Sequence, residues 1–172
     1  MIITLLGYMG VGKTTIGEQL AIVLKYQFID LDAYIEMKEL QSVSEIFKTK
    51  GEIYFRKQEH FYLQEILSSN KKIVLALGGG TPCYANNMKL ISDLGSIFFY
   101  LQLSPNLLAD RLFLEKEKRP LIKNIQSIEK LTEFIGIHLF ERQVYYTSAV
   151  YTIATANLSA KKITEAIVEK LY

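Results

Sequence analysis

The sequence predicts an α/β domain built on a parallel sheet, and three observations predict it. Five short apolar runs recur along the chain, Ile2–Leu6, Phe28–Leu31, Ile73–Leu77, Ile97–Leu101 and Val150–Ala154. They are near-continuous Ile, Val, Leu and Phe without alternation, the pattern of strands covered on both faces. Longer segments of helical period separate them. The third observation is size: 172 residues, 49% of them hydrophobic, suit one domain burying roughly 70% of its unfolded surface. No repeat or linker interrupts the chain, so residues 1–172 are read as a single domain.

Taken in order, the first strand, Ile2–Leu6, runs into a glycine-rich turn, and a helix over Thr15–Tyr26 follows with Leu20 facing the core. The second strand, from Phe28, ends on acidic residues. Ser42 with Glu45 fits a capping box opening a helix, and Glu52–Ser69 carries the next, with Ile66 inward. After the strands from Ile73 and Ile97, Ser104 and Pro105 fit an N-cap and the first helical position. Leu114–Asn124 is dense in charge and interrupted by Pro120, which forces Arg119 out of the helical region. This stretch reads either as a lid or as a solvated loop. Helices over Ser127–Tyr146, with Leu131 inward, and Ala160–Leu171, with Ile167 inward, flank the last strand.

Composition narrows the function. Lys and Arg number 20 against 18 Asp and Glu, too even for the basic stripe of a nucleic-acid or membrane-surface binder. One cysteine, Cys83, excludes an internal disulfide and a multi-thiolate zinc site, and His60 and His138 lack ligand spacing. The apolar start has no basic segment before it, and no run reaches the roughly 18 residues of a membrane span. The expectation is a cytoplasmic protein.

Chemistry begins at Gly7-Tyr8-Met9-Gly10-Val11-Gly12-Lys13-Thr14, a GxxxxGK[ST] loop between a strand and a helix. Its glycines let backbone N–H groups turn onto phosphate oxygens, Lys13 reaches the transferred phosphoryl and the Thr14 hydroxyl can ligand Mg²⁺. A chance match is expected well under about once in a hundred such chains. A guanine-reading NKxD motif is missing, since Asn70-Lys71 is followed by Lys72-Ile73.

On the acceptor side, Asp30 and Asp32 end the second strand, where alternation puts both on one side facing the phosphate loop. An ordinary acidic helix cap is the competing reading. Gly78-Gly79-Gly80 follows the third strand and suits a small anion or close approach by a substrate. Arg56 stands three and four residues before Glu59 and His60, and Arg142 beside Glu141, so each alone reads as a surface ion pair. With the glycine run they form a planar site for a carboxylate.

In this order the motifs GYMGVGKTT, FIDLD, EIYFRKQE, LGGGTP, KRPL and the Glu141-Arg142 pair resemble the shikimate kinase family across nearly the whole chain. The resemblance implies a three-layer P-loop kinase fold of the nucleoside monophosphate kinase type with a five-stranded parallel sheet. It implies transfer of a phosphoryl group from Mg-ATP to the 3-hydroxyl of shikimate. ATP phosphates would lie on Gly10, Val11, Gly12, Lys13, Thr14 and Thr15, with Arg111 against the adenine and Arg119 swinging in on a lid over 112–124. Thr14 and Asp30 would hold Mg²⁺, and Lys13, Asp32 and Arg119 would be catalytic. Asp32, Arg56, Gly78, Gly79, Gly80 and Arg142 would bind shikimate within a helical region over 33–62 and its neighbours, completed by Phe47, Phe55 and Glu59. The chain departs from the family where RxPxYxE reads Arg142-Gln-Val144-Tyr-Tyr146-Thr-Ser148, and where a DTxxxxP-like adenine loop reads Ala154–Ala160. Rival readings are gluconate kinase or another small-metabolite kinase, and a regulator that binds nucleotide without catalysis. A monomer that binds neither nucleic acid nor membrane is expected.

Overall fold

The computed structural model of the chain describes residues 1–69 and 71–172, apart from the side chain of Lys118. Asn70 and that side chain, parts of motifs weighed above, lie outside the described residues. Five parallel strands, β1 (Ile2–Leu6), β2 (Gln27–Asp30), β3 (Ile73–Ala76), β4 (Ile97–Gln102) and β5 (Tyr151–Ala154), form one sheet in the order β2-β3-β1-β4-β5. Among the described residues eight α-helices surround it: α1 (Lys13–Leu24), α2 (Leu31–Glu39), α3 (Val43–Thr49), α4 (Gly51–Leu67), α5 (Asn87–Asp93), α6 (Pro105–Phe113), α7 (Ile128–Tyr146) and α8 (Ala160–Leu171). Short 3₁₀ turns occupy Thr81–Cys83 and Lys116–Lys118.

The runs of β1, β3 and β4 form strands covered on both faces, whereas β2 and β5, at the two edges of the sheet, are only partly covered. Along β1, Ile3 and Leu5 enter a core with Leu20, Leu112, Leu131 and Ile167. Ile2 and Leu6 enter a second with Leu31, Ile35, Leu63, Ile66 and Tyr146. Two cores on opposite faces make a three-layer molecule. Thr4 is buried in the same strand and satisfied by Ser96, their hydroxyls 2.7 Å apart.

Several local readings change. The second strand stops at Asp30 rather than Leu31, because the Asp30 side chain accepts from the Asp32 and Ala33 N–H groups and opens α2. Asp32 therefore lies in the first turn of a helix, not on the strand. Ser42 and Glu45 close the expected capping box on α3. Ser104 has the N-cap backbone conformation of α6 but its side chain makes no cap bond, so Pro105 alone marks that start. Arg119 has the extended backbone that Pro120 demands, at φ −126° and ψ 99°. Among the described residues no helix is long and apolar enough to cross a membrane.

The order of strands positions the site. β1 lies between β3 and β4, so the chain leaves its carboxyl end where the connections diverge to opposite sides, the place where open α/β sheets hold ligands. Leu5 pairs with Ala76, and Asp30 pairs with Ala76 from the other side. The loops after β1, β2 and β3 are thereby neighbours.

Candidate active site

The loop after β1 turns back through glycines that no other residue could replace without movement. Gly12 caps α1 in the left-handed region at φ 104°. A Cβ on Gly10 would stand 2.8 Å from Leu112 Cδ2. The loop's backbone and the N-terminus of α1 thus face a cleft of about 380 Å³ lined by Lys13, Thr14, Thr15, Asp30, Asp32, Gly78, Gly79 and Arg119. A wider hollow of about 550 Å³ between α1 and α8 is lined by residues such as Ile22, Val23 and Val168 and contains none of these motifs.

Lys13 Nζ donates to the carbonyls of Gly7 at 2.8 Å and Tyr8 at 3.0 Å, folding over the loop. Burial lowers its pKa to about 8, against the opposing pull of Asp32 and Asp30. Thr14 Oγ1 donates to Asp30 Oδ2 at 3.0 Å while Asp30 Oδ1 caps α2. Asp30 divides its oxygens: one serves the helix, the other accepts from the phosphate loop. Asp32, two residues on in the first turn of α2, has its carboxyl raised to about 6 by burial, then by Asp30 and Glu59, with Lys13 opposing.

The glycine run is explained by space. A Cβ on Gly78 would stand 2.8 Å from Asp32 Oδ1, one on Gly79 3.6 Å from Arg142 Nη1, and one on Gly80 2.9 Å from Arg56 Nη2. Gly78 and Gly80 leave room for Asp32 and Arg56, whereas a side chain at Gly79 would meet Arg142 only at ordinary contact distance; the carboxylate and the two guanidinium groups gather at this strand end. Arg56 is held by Glu59, with Nη1 2.8 Å from Oε2, and more distantly by Glu52. Glu59 is 1% exposed and also accepts from Thr81 Oγ1 at 2.6 Å. The surface pair that the spacing suggested is in fact half-buried, with Glu59 enclosed and Arg56 partly covered. Burial opposes the charge on Arg56, but Glu59, aided by Tyr84 and Glu52, holds the guanidinium pKa above its usual value. Phe47 and Phe55, their rings 4.7 Å apart, lie on the same guanidinium.

Arg142 lies over the Tyr8 ring at 5.4 Å. Arg119 Nη2 pairs with Glu115 at 3.2 Å, and its Nε is buried without a hydrogen-bond partner. Ile122, in the same charged stretch, is fully buried and ties it to the core. Two expected nucleotide residues stand apart from the cleft. Arg111 reaches the outer side of the loop, where its Nη1 donates to Gly10 and Val11 carbonyls at 3.4 and 3.3 Å. Val11 buries its side chain and turns its N–H to the Tyr8 carbonyl, leaving little but its carbonyl outward.

Three residues escaped sequence reasoning. Thr81 holds Glu59, and Tyr84 places its ring 3.9 Å from Arg56 Cζ. Tyr146 donates to the Gly79 carbonyl at 2.5 Å, and burial pushes its hydroxyl pKa up. The available signal for Tyr146 was its spacing of four from Arg142, which shares its helix face.

Residues 9–172 match the family model described as shikimate kinase. A shikimate kinase of Flavobacterium johnsoniae is 44% identical over 98% of both chains. The chain belongs to the shikimate kinase family. The shikimate kinase of Flavobacterium psychrophilum is 42% identical over 99% of this chain and 98% of its own. The crystal structure of a family member from Bacteroides thetaiotaomicron superposes with a TM-score of 0.92 at 34% identity, covering 99% of this chain and 98% of that one. A family member from Acinetobacter baumannii, solved in complex with shikimate, superposes with a TM-score of 0.86 at 34% identity, covering 99% and 92%. The P-loop kinase fold and its five-stranded parallel sheet are those of the shikimate kinase family, and the chain is a kinase.

Proposed function

We propose that this chain transfers the γ-phosphoryl of ATP to the 3-hydroxyl of shikimate, with Asp32 at the junction of two half-sites. The observation that carries the reading is the glycine run: it brings Asp32, Arg142 and Arg56 to one strand end beside the phosphate loop. On the nucleotide side, backbone N–H groups between Gly10 and Thr15 hold phosphates, and Lys13 exchanges its two loop carbonyls for transferring oxygens. The anion replaces weak partners, so the charge on Lys13 gains most in the transition state. On the acceptor side, Arg56 and Arg142 take the shikimate carboxylate by charge-assisted hydrogen bonds. Asp32 orients the hydroxyl and accepts its proton.

The donors at Thr14 and Asp30 are hard oxygens, and among the described residues no cluster of three or more His, Cys, Asp or Glu side chains could hold a metal alone. Such a site fits Mg²⁺ that arrives with phosphate and water ligands of its own. Bound there, the ion neutralises charge on the phosphates. Arg119, whose side chain pairs with Glu115, turns toward the transferring group as the segment over 112–124 closes, with Ile122 keeping that segment anchored on the core. The protein acts as a cytoplasmic monomer, without nucleic acid or membrane.

Release of ADP, coupled to an optical readout, tests this across shikimate, gluconate and nucleoside monophosphates. Turnover with shikimate alone is expected. Comparable or faster turnover with gluconate or a nucleotide acceptor overturns the reading.

A further inference from the structure

We propose that Tyr84 is a positioning residue for the acceptor carboxylate, fixing the plane in which Arg56 presents its guanidinium. The inference rests on the reading of Arg56 as a carboxylate ligand. The Tyr84 ring centroid is 3.9 Å from Arg56 Cζ, nearer than Phe55 at 5.2 Å or Phe47 at 6.0 Å. Phe47 and Phe55 come from the helices around Arg56, whereas Tyr84 arrives from the loop after the glycine run. One edge of the guanidinium is fixed by Glu59, and its Nη2 lies beside Gly80. With a ring pressed on the face and a carboxylate on the edge, neither tilt nor rotation is left to the fork. A fork already in plane loses less freedom when a carboxylate docks.

The loop carrying Tyr84 is built at a cost that packing does not explain. Ala85 and Asn86 follow it at φ 50° and 55°, two consecutive left-handed residues with side chains. Such positions are disfavoured for residues with a Cβ and persist only where the surroundings impose them. Asn87 imposes them. It is fully buried, its N–H donates to the Tyr84 carbonyl at 2.9 Å, its Nδ2 donates to the Thr81 carbonyl at 2.9 Å, and its Oδ1 pairs with His60 Nδ1 at 2.7 Å. The segment closes on itself and lays the ring back over α4. Tyr84 as a residue is 40% exposed and belongs to neither core, so it adds little to the packing of the fold. A strained, anchored loop that delivers a half-exposed ring onto a substrate-facing arginine serves the site rather than the fold.

The test compares the wild-type chain with Tyr84→Ala and Tyr84→Phe, reading kcat, both KM values and the melting temperature. Tyr84→Ala is then repeated in an Arg56→Met, Glu59→Gln background, which removes the guanidinium without leaving Glu59 buried alone. Tyr84→Ala should raise the shikimate KM about tenfold with the ATP KM and the melt unchanged, and Tyr84→Phe should restore it. In the background lacking the guanidinium, the loss in kcat/KM should shrink below about twofold. An unchanged shikimate KM, an equal loss in both backgrounds, or a loss accompanied by a lower melt that Tyr84→Phe does not repair overturns the assignment. A wild-type chain that does not phosphorylate shikimate instead rejects the proposed function, and this inference falls with it.

Discussion

Asp32 meets two demands that conflict, ionisation for chemistry and neutrality for stability. Its carboxyl rises from 3.8 to about 6 in the fold, so the folded state holds the proton more tightly than the unfolded chain does. The stability this group contributes is complete below about pH 4 and is lost as pH rises through about 6. Asp32→Asn should therefore melt above the wild type at pH 7.5, with the advantage fading toward pH 4, while kcat falls about 10²-fold or more. Paired melts at the two pH values and one rate measurement check this; a variant that melts below the wild type at pH 7.5 contradicts the electrostatics. For the wild type, kcat/KM for shikimate should drop on the acid side of about pH 6. At this scale the phosphate loop, Asp30, Asp32 and the glycine run were legible, because their chemistry is written in contiguous residues. The environment of Arg56 was not. Spacing identified Glu59 as its partner, but Thr81 on the carboxylate and Phe47, Tyr84 and Gly80 around the guanidinium come from other elements and enclose the pair. Removing Arg56 alone should cost about 3–5 kcal/mol as for a broken buried pair, not the roughly 0.5 kcal/mol of a surface one.

At the scale of elements, α1 lies close to β2 because Gly17 has no side chain. A Cβ there would stand 2.4 Å from Phe28 Cε2. Gly to Ala within an exposed helix stabilises by about 1 kcal/mol, whereas overpacking a core costs about 1–3 kcal/mol. Gly17→Ala should therefore destabilise the protein despite its better helix propensity, and since α1 begins at Lys13, it should weaken ATP binding as well. Chemical denaturation with an ATP titration decides the matter, and a more stable variant refutes the packing argument. Strands were legible as elements because each carries a short, mostly apolar run. The helices α2 and α5 were not. The start of α2 is hidden inside the acidic motif, where Asp30 serves as cap, and α5 starts from the left-handed Asn86 with no side-chain cap.

Across the whole molecule, the site exists because β1 lies between β3 and β4 and gathers three loops at one sheet edge. Strand order is fixed by pairings between distant residues, which apolar runs do not encode; similarity of motifs implied the five-stranded parallel sheet, and the order appears only in the structure. If the phosphate loop binds nucleotide as described, Mg-ATP at about 100 times its Kd should stabilise the fold by about 2.7 kcal/mol, raising the melting temperature by about 5–10 °C. Lys13→Ala should lose most of that rise, and a full rise in the variant would remove Lys13 from phosphate binding. The central claim is that a carboxylate acceptor docks on the arginines beyond the glycine run while ATP docks elsewhere. Arg142 tests it more cleanly than Arg56, since no buried carboxylate depends on it. The most direct measurement is the pair of KM values for Arg142→Met: the account expects the shikimate KM to rise about 10- to 100-fold with the ATP KM unchanged. An unchanged shikimate KM, or equal rises in both constants, contradicts it.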